Sequence, residues 1–459
     1  MSSILFQHDF TLRRRTKTYV RLRIMDYLHR MVRICLMIGV SLCACVVFAQ
    51  AVADRYSRQQ TQQGIRRAIS LDPRNPEHYA QLARFLERPL KQGDLSIVIG
   101  LYEKAIQLSR HNAYYWARLA QAYEWDGRLQ DAQDSYQQAK SLSPASPTMS
   151  WTIGNFYLRE GKTNQALELF QQAILGDPEL RRPAFDLAWR ATQDGDLIAR
   201  EMIPARPDIY FDYLDYLVGT DRLDEAVKAW DRVSRPSFYF NPMKAFPYLD
   251  ALIQHRWIDQ LTDAWTDLKK MNPSLTRESE QDANLITNGD FEAEILNGGL
   301  DWRINSTPGD VISIDKSIFR DGGHSLRIQF DGKQNLSEAL IFQYVPVRPN
   351  TSYQFMAYMR SQGITTDNGP RFQIRDADNP VGLSFQSSDL VGNSPWVRRQ
   401  LDFKSGAGTR LLEIRITRPL SRKLDNKSAG TIWVDQLKLT PIESAASTDS
   451  ERNAYTKRN

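Results

Sequence analysis

Residues 113–144 read AYYWARLAQAYEWDGRLQDAQDSYQQAKSLSP, and this stretch decides the architecture of the first half of the chain. Trp116, Leu119, Ala120 and Tyr123 precede Gly127, and Leu129, Ala132, Tyr136 and Ala139 follow it, up to Pro144. Small residues let two antiparallel helices approach closely, and large ones fill the space between them. Glycine turns the corner, and proline stops the second helix. Adding 34 to these numbers reaches Ile153, Gly154, Tyr157, Gly161, Ala166, Phe170, Ala173 and Pro178, the same alternation of small and large. A fixed period of this kind predicts stacked helical hairpins, each burying its face on its neighbours.

The period runs outward in both directions. Upstream, Ala68 to Pro73 reads as the end of a partial unit, and a full one spans Tyr79 to about Ser109 with an insertion near Pro89. Downstream, Ala184, Leu187, Ala188 and Gly195 open a degenerate unit. Tyr213, Leu214, Leu223, Ala226 and Trp230 form another, and Trp257 marks a last one ending near Pro273. The array is thus expected over 55–273. These residues resemble the tetratricopeptide repeat family, and the resemblance implies a right-handed superhelix whose groove, lined by the first helix of each unit, binds peptides or protein surfaces. The inward positions it implies are Tyr114, Gln121, Glu124 and Trp125, then Trp151, Asn155 and Arg159, then Phe185, Trp189 and Phe211. Trp151, Phe185 and Phe211 share one equivalent position, held by Ala117 in the clearest unit. Such a row is either an anchor line for a partner or packing against the adjacent helix.

Before the array, Ile34 to Ala53 reads ICLMIGVSLCACVVFAQAVA, without a charge. Twenty helical residues span about 30 Å, the thickness of a bilayer's hydrocarbon core. The basic flank 1–33 carries eight Lys or Arg against Asp9 and Asp26. Within about 20 residues of the span, the N-terminal side has more Lys and Arg than the C-terminal side, which predicts a cytoplasmic N-terminus and an extracytoplasmic bulk. The rival is a cleaved signal peptide, with Ala49-Gln50-Ala51 as the cleavage site. The 33-residue charged region, long for a signal peptide, favours an uncleaved single-pass transmembrane helix.

Composition narrows the function classes. Of 459 residues 42% are hydrophobic and 25% charged, an ordinary globular balance. Lys and Arg total 59 against 54 Asp and Glu, and the basic flank accounts for the whole excess. No basic folded domain remains to neutralise phosphates, so a nucleic-acid partner is not expected. The three cysteines, Cys35, Cys43 and Cys45, all lie in the apolar stretch, so the rest of the chain has neither a disulfide framework nor a cysteine zinc site. Acylation of Cys35 beside the basic flank is the one modification this placement suggests.

A polar linker, residues 274–283, separates the helical periodicity from an alternation of period two. SYQFMAYMRS (352–361), WVRRQLDFKS (396–405), LLEIRITR (411–418) and TIWVDQLKL (431–439) predict short antiparallel strands in a sandwich or barrel. NLITNGDFE (284–292), GLDW (299–302), DGGHSLRI (321–328), VPVRPNTSYQF (345–355) and IWVDQLKL (432–439) together resemble a jelly-roll carbohydrate-binding module of the galactose-binding-like superfamily, over residues 284–442. The resemblance implies a structural calcium, at positions matching Asp290, Glu292 and Asp435; otherwise these carboxylates cap turns or face solvent. It also implies sugar held by aromatic platforms with polar partners. Candidates are Trp302, Tyr344, Phe372, Phe385 and Trp396, with Arg371, Gln373 and Arg375. Trp302 and Trp433 are also core candidates. Residues 443–459 are small and polar, a composition that predicts disorder.

No G-x-S-x-G, H-E-x-x-H or P-loop occurs, and the six histidines are scattered. The expected fold is therefore multidomain: a single transmembrane helix, an all-α tetratricopeptide-repeat solenoid, then an all-β jelly-roll sandwich. The expected function is a non-enzymatic, membrane-anchored scaffold on the periplasmic face of a bacterial envelope, docking a protein partner through the repeats and polysaccharide through the β domain. The alternative is a purely protein–protein adaptor whose β domain is structural.

Overall fold

The computed structural model describes residues 3–87, 95–233, 240–275, 284–305, 308–335, 339–365, 367–423 and 426–442. The first two residues of the basic flank, most of the expected linker and the expected disordered tail 443–459 lie outside the described residues. The chain forms two compact units, 1–178 and 179–459.

The first unit begins with one long helix, α1 (Ser3–Ser57). Its stretch Tyr27–Ser57 is long and apolar enough to cross a membrane, and the side chains of its apolar run are exposed. The last turn of α1 is different. Ala53 is buried, the Ser57 hydroxyl bonds the Gln81 side chain, and Arg67 lies over the Tyr56 ring. These contacts pack α1 on α2 (Gln62–Leu71). Gly64 makes the approach feasible, since a Cβ there would stand 2.7 Å from the Tyr56 carbonyl oxygen.

Three hairpins follow: α3 (Pro76–Leu86) with α4 (Leu95–Leu108), α5 (Ala113–Trp125) with α6 (Leu129–Leu142), and α7 (Pro147–Arg159) with α8 (Thr163–Gly176). Asn75, Asn112 and Ser146 cap the first helix of each hairpin, accepting from backbone N–H groups. Gly127 and Gly161 turn the corners in the left-handed region, at φ 75° and 72°. Ala120, Ala132, Ala139, Ala166 and Ala173 are fully buried where the helices meet, and Tyr136 and Phe170 fill the gaps.

The second unit opens with three further hairpins: α9 (Arg181–Thr192) with α10 (Gly195–Glu201), α11 (Pro207–Gly219) with α12 (Leu223–Val233), and α13 (Phe246–His255) with α14 (Ile258–Met271). Among the described residues ten strands follow, in two antiparallel five-stranded sheets. The first sheet has the order β1 (Arg303–Ile304), β4 (Ala339–Pro346), β9 (Leu411–Thr417), β6 (Arg371–Asp376), β7 (Ser384–Gln386). The second runs β2 (Asp310–Asp315), β3 (Ser325–Asp331), β10 (Ala429–Pro441), β5 (Ser352–Ile364), β8 (Gly392–Lys404). Inward residues of both, among them Ile328, Phe355, Phe372, Ile414 and Val434, form one core.

The stretch 284–302 contributes no strand but seals that core. Trp302 and Phe291 are fully buried, and the Trp302 indole donates to the Asn288 carbonyl at 3.0 Å. Trp433, a core candidate from the sequence, is buried as well, though not within the cluster between the sheets. It pairs with Arg327 and Arg360 across the second sheet, and its indole donates to Asp315.

The polar stretch at 274–283 does not leave the sandwich free of the helices before it. Arg303 pairs with Asp250 of α13, Arg256 with Asp378, and Arg410 with Asp259 of α14. Gly299, at φ 56°, lies so close to Trp265 of α14 that a Cβ would stand 2.7 Å from the indole. The last hairpin and the sandwich are therefore packed parts of one unit.

Candidate functional site

On the first helices of the first unit, the expected groove residues are largely engaged with one another. Arg159 of α7 donates two hydrogen bonds to Glu124 of α5, at 2.6 and 3.0 Å. Gln121 accepts from Arg118, which also pairs with Glu87 just after α3. Tyr114 lies under Arg84 and accepts its hydrogen bond. Asn155 donates to the Trp151 carbonyl, and the Trp151 ring packs on Phe170 at 5.3 Å. Among these residues Tyr114 and Trp125 remain exposed aromatic surface.

In the second unit Phe185 packs on Tyr213 and Tyr216, and Phe211 on Phe240. Both are buried, so of the two readings of the row, packing against the adjacent helix holds for Phe185 and Phe211, while Trp151 is half-buried. A phenyl ring at a helix–helix contact gains more from its neighbours than from solvent. Trp189 is half-buried under the Arg222 guanidinium, 4.4 Å from the ring.

Of the three expected calcium ligands, Asp290 and Glu292 line one hollow with Asp321 and Gln436, and all three accept hydrogen bonds from the chain. Glu292 accepts from the backbone of Gly323 and His324 and contacts the His324 ring at 2.5 Å. Burial raises its carboxyl, but these bonds outweigh burial and hold it below its usual value. Asp435 accepts from the backbone of Arg320, Asp321 and Gln436. Asp290 accepts from Glu292 N–H. Among the described residues no group of three or more His, Cys, Asp or Glu side chains is placed to hold a metal ion. Donors, which calcium does not bind, face Glu292 and Asp435, and these carboxylates tie the 284–302 segment, the 320–324 loop and β10 together.

The expected sugar-binding residues divide between core and surface. Trp302 and Phe372 are fully buried, and Phe385 points inward onto Phe403 at 5.1 Å. None of the three can lie under a sugar, which corrects that part of the expectation: alternation on β6 and β7 turns these rings toward the other sheet. Trp396 stands on β8 of the second sheet, beside an open hollow of about 470 Å³ with Arg360, Gln362 and Asn393.

Tyr344, Arg371, Gln373 and Arg375 do converge, on the outer face of the first sheet. Two rows cross its strands there. Tyr344 on β4 stands opposite Glu413 on β9, and Glu413 opposite Arg375 on β6. Beside it, Arg303, Phe342, Arg415, Gln373 and Gln386 run across all five strands. Arg375 donates to Glu413 at 2.7 and 3.0 Å, and Arg415 donates to the other carboxylate oxygen at 3.2 Å. Phe342 and Tyr344 meet edge to face, with Arg303 over the Tyr344 ring. Burial pushes the Tyr344 hydroxyl above its usual value.

Phe342, Glu413 and Arg415 escaped the sequence reading. The signal lay in LLEIRITR, whose alternation puts Glu413 and Arg415 on the face opposite Leu412, Ile414 and Ile416. Two half-buried aromatic rings beside a polar row form a surface to which a pyranose can present its apolar face and its hydroxyls.

Residues 113–146 match the tetratricopeptide repeat family model. No curated protein matches the chain. Among solved structures the chain is similar to the enzymatically active domain of bacteriophage CBA120 tailspike protein 4, at 17% identity and a TM-score of 0.26 over 35% of this chain. It spans about a fifth of that tailspike structure, 22%. The MamA protein is similar at 16% identity and a TM-score of 0.29, over 43% of this chain and 98% of MamA. The CBM22-1 xylan-binding domain from Paenibacillus barcinonensis Xyn10C is similar at 17% identity and a TM-score of 0.24, over 34% of this chain and 94% of that domain.

Proposed function

We propose that the chain is a non-enzymatic scaffold anchored by α1, with its N-terminus cytoplasmic and its bulk extracytoplasmic. It docks a protein through its repeats and binds glycan on the outer face of the β1-β4-β9-β6-β7 sheet. The setting that joins these features is export, assembly or retention of surface polysaccharide. The observation that carries the glycan reading is the meeting of Tyr344 and Phe342 with Gln373, Arg375 and Arg415 on adjacent strands. A sugar stacks on the rings, and its hydroxyls exchange water for the polar row. For the repeats, Tyr114 and Trp125 supply exposed aromatic surface to a partner.

Binding of the full chain in detergent to a broad glycan array tests this reading. Retention of glycan by the native chain, lost in Tyr344→Ala with melting unchanged, is expected. An array without binding hands the β domain to the adaptor alternative, which the tie between α13–α14 and the sandwich favours. Topology is tested separately. A reporter fused after Asn459 is expected to be active outside the cytoplasm, with the protein retained by carbonate-washed membranes. A soluble form beginning near Val52 would identify the apolar stretch as a signal peptide.

A further inference from the structure

Two guanidiniums share one carboxylate on the glycan face. Glu413 is nearly buried, its side chain 9% exposed, and its oxygens are divided between Arg375 and Arg415. Arg415 is itself 15% exposed. Burial and the neighbouring Arg375 hold its guanidinium below its ordinary value, against the pull of Glu413. The other cations around this face are matched: Arg371 with Asp389, Arg303 with Asp250, and Arg256 with Asp378. Within the row, two guanidiniums face one carboxylate, a local excess of one positive charge at the middle of the sheet. Hydrogen bonding is incomplete as well, since the Nε groups of Arg303, Arg371 and Arg415 are buried without an acceptor. A half-buried cation without a counter-charge is costly, and a guanidinium is best satisfied by a bidentate carboxylate.

The spacing suits a sugar acid. Adjacent strands lie about 4.8 Å apart, close to the width of a pyranose ring. A pyranose stacked on Phe342 of β4, with the Tyr344 ring upright beside it, places an exocyclic acid group one strand away, over Arg415 of β9, which stands opposite Phe342. We infer that this face binds a carboxylate-bearing polysaccharide, a polymer containing uronic acid, with Arg415 and Arg375 holding the acid group beside the Phe342–Tyr344 platform. The inference rests on the glycan reading proposed above. Neutral hydroxyls could fill the empty hydrogen-bonding positions but leave the charge unmatched.

The test uses the full chain in detergent and three probes: polygalacturonate, the same polymer fully methyl-esterified, and neutral xylan. Polygalacturonate is expected to bind about tenfold more tightly than its ester, the difference between charged and neutral hydrogen bonds, and to weaken as salt is raised. Arg415→Gln leaves Arg375 and Glu413 as a matched pair, so it should fold and lose the preference for the acid. Arg375→Gln, at the more exposed partner, is the second variant should Arg415→Gln misfold. Equal binding of acid and ester, unchanged in both variants, overturns the inference while the glycan reading stands. Binding of none of the three probes overturns the inference, and the broad array alone then decides the glycan reading.

Discussion

Both the first hairpins and the outer face of the sheet set arginine against glutamate, but in different proportions. Along α3, α5 and α7 the match is one to one: Glu77 with Arg84, Glu87 with Arg118, Glu124 with Arg159. On the sheet, Glu413 answers two arginines. Where charges cancel, within α3 or between successive helices, the pairs brace the stack and an arriving ligand gains little by displacing them. Where they do not cancel, something from outside can complete the balance. Counting partners therefore separates the two faces more sharply than counting aromatic rings.

The comparison depends on both frameworks being packed as described, and the largest expected effects test that. Ala166→Arg forces a charge into the fully buried contact of α7 with α8 and should cost about 3–5 kcal/mol, read as early loss of helical signal on heating. Trp302→Ala empties a buried site and should cost the sandwich a similar amount, about 3–5 kcal/mol. Because Arg303, Arg256 and Arg410 tie the last hairpin to the sandwich, faster hydrogen exchange should appear in α13 and α14 as well. Protection unchanged in those helices would separate them from the sandwich.

A matched pair of variants addresses the charges directly. Glu413→Gln strands two partly buried guanidiniums and should destabilise by about 2–3 kcal/mol, whereas Glu124→Gln, facing a half-exposed Arg159, should cost about 0.5 kcal/mol. Equal losses in denaturant titrations would erase the distinction between the faces.

The last expected effect is on pH. Burial pushes the Asp435 carboxyl up to about 6, with Asp290 adding to the rise against three backbone hydrogen bonds. A native state that keeps a proton the unfolded chain has released loses stability as pH rises from about 4 to about 6, here by about 3 kcal/mol, and stays level above about 7. Asp435→Asn should flatten that slope.

The helical units were legible because period 34 survives in residues that cannot be exchanged cheaply, such as Gly127, Gly161, Ala132 and Ala166. It fades in the second unit, where Gln193, Asp221 and Arg256 occupy left-handed turns that glycine would fill without strain. The strands were legible from alternation, and so were Tyr344, Arg371, Gln373 and Arg375 as site residues. Alternation alone does not say which face is inside. Phe372 and Phe385 thus read as platforms when they are core, and the row containing Glu413 and Arg415 emerged only once β9 was seen between β4 and β6. The row Trp151, Phe185 and Phe211 left two readings open for a related reason: a shared repeat position fixes the height along a helix, and the neighbouring helix decides whether a ring there meets solvent.

The junction of α1 with α2 has a further consequence. Ala53 and Ser57 bury into the first hairpins without a break in the helix, so no slack separates the apolar span from the array. Were Ile34–Ala53 to lie in a bilayer, the first hairpins would be held close above its surface without the freedom of a flexible linker. A partner held in the same membrane then searches two dimensions instead of three, which raises the frequency of productive encounters without any added contact. Two glycines inserted after Asp54 would turn this mast into a tether. They should slow capture of a membrane-bound partner while leaving affinity for the same partner in solution unchanged.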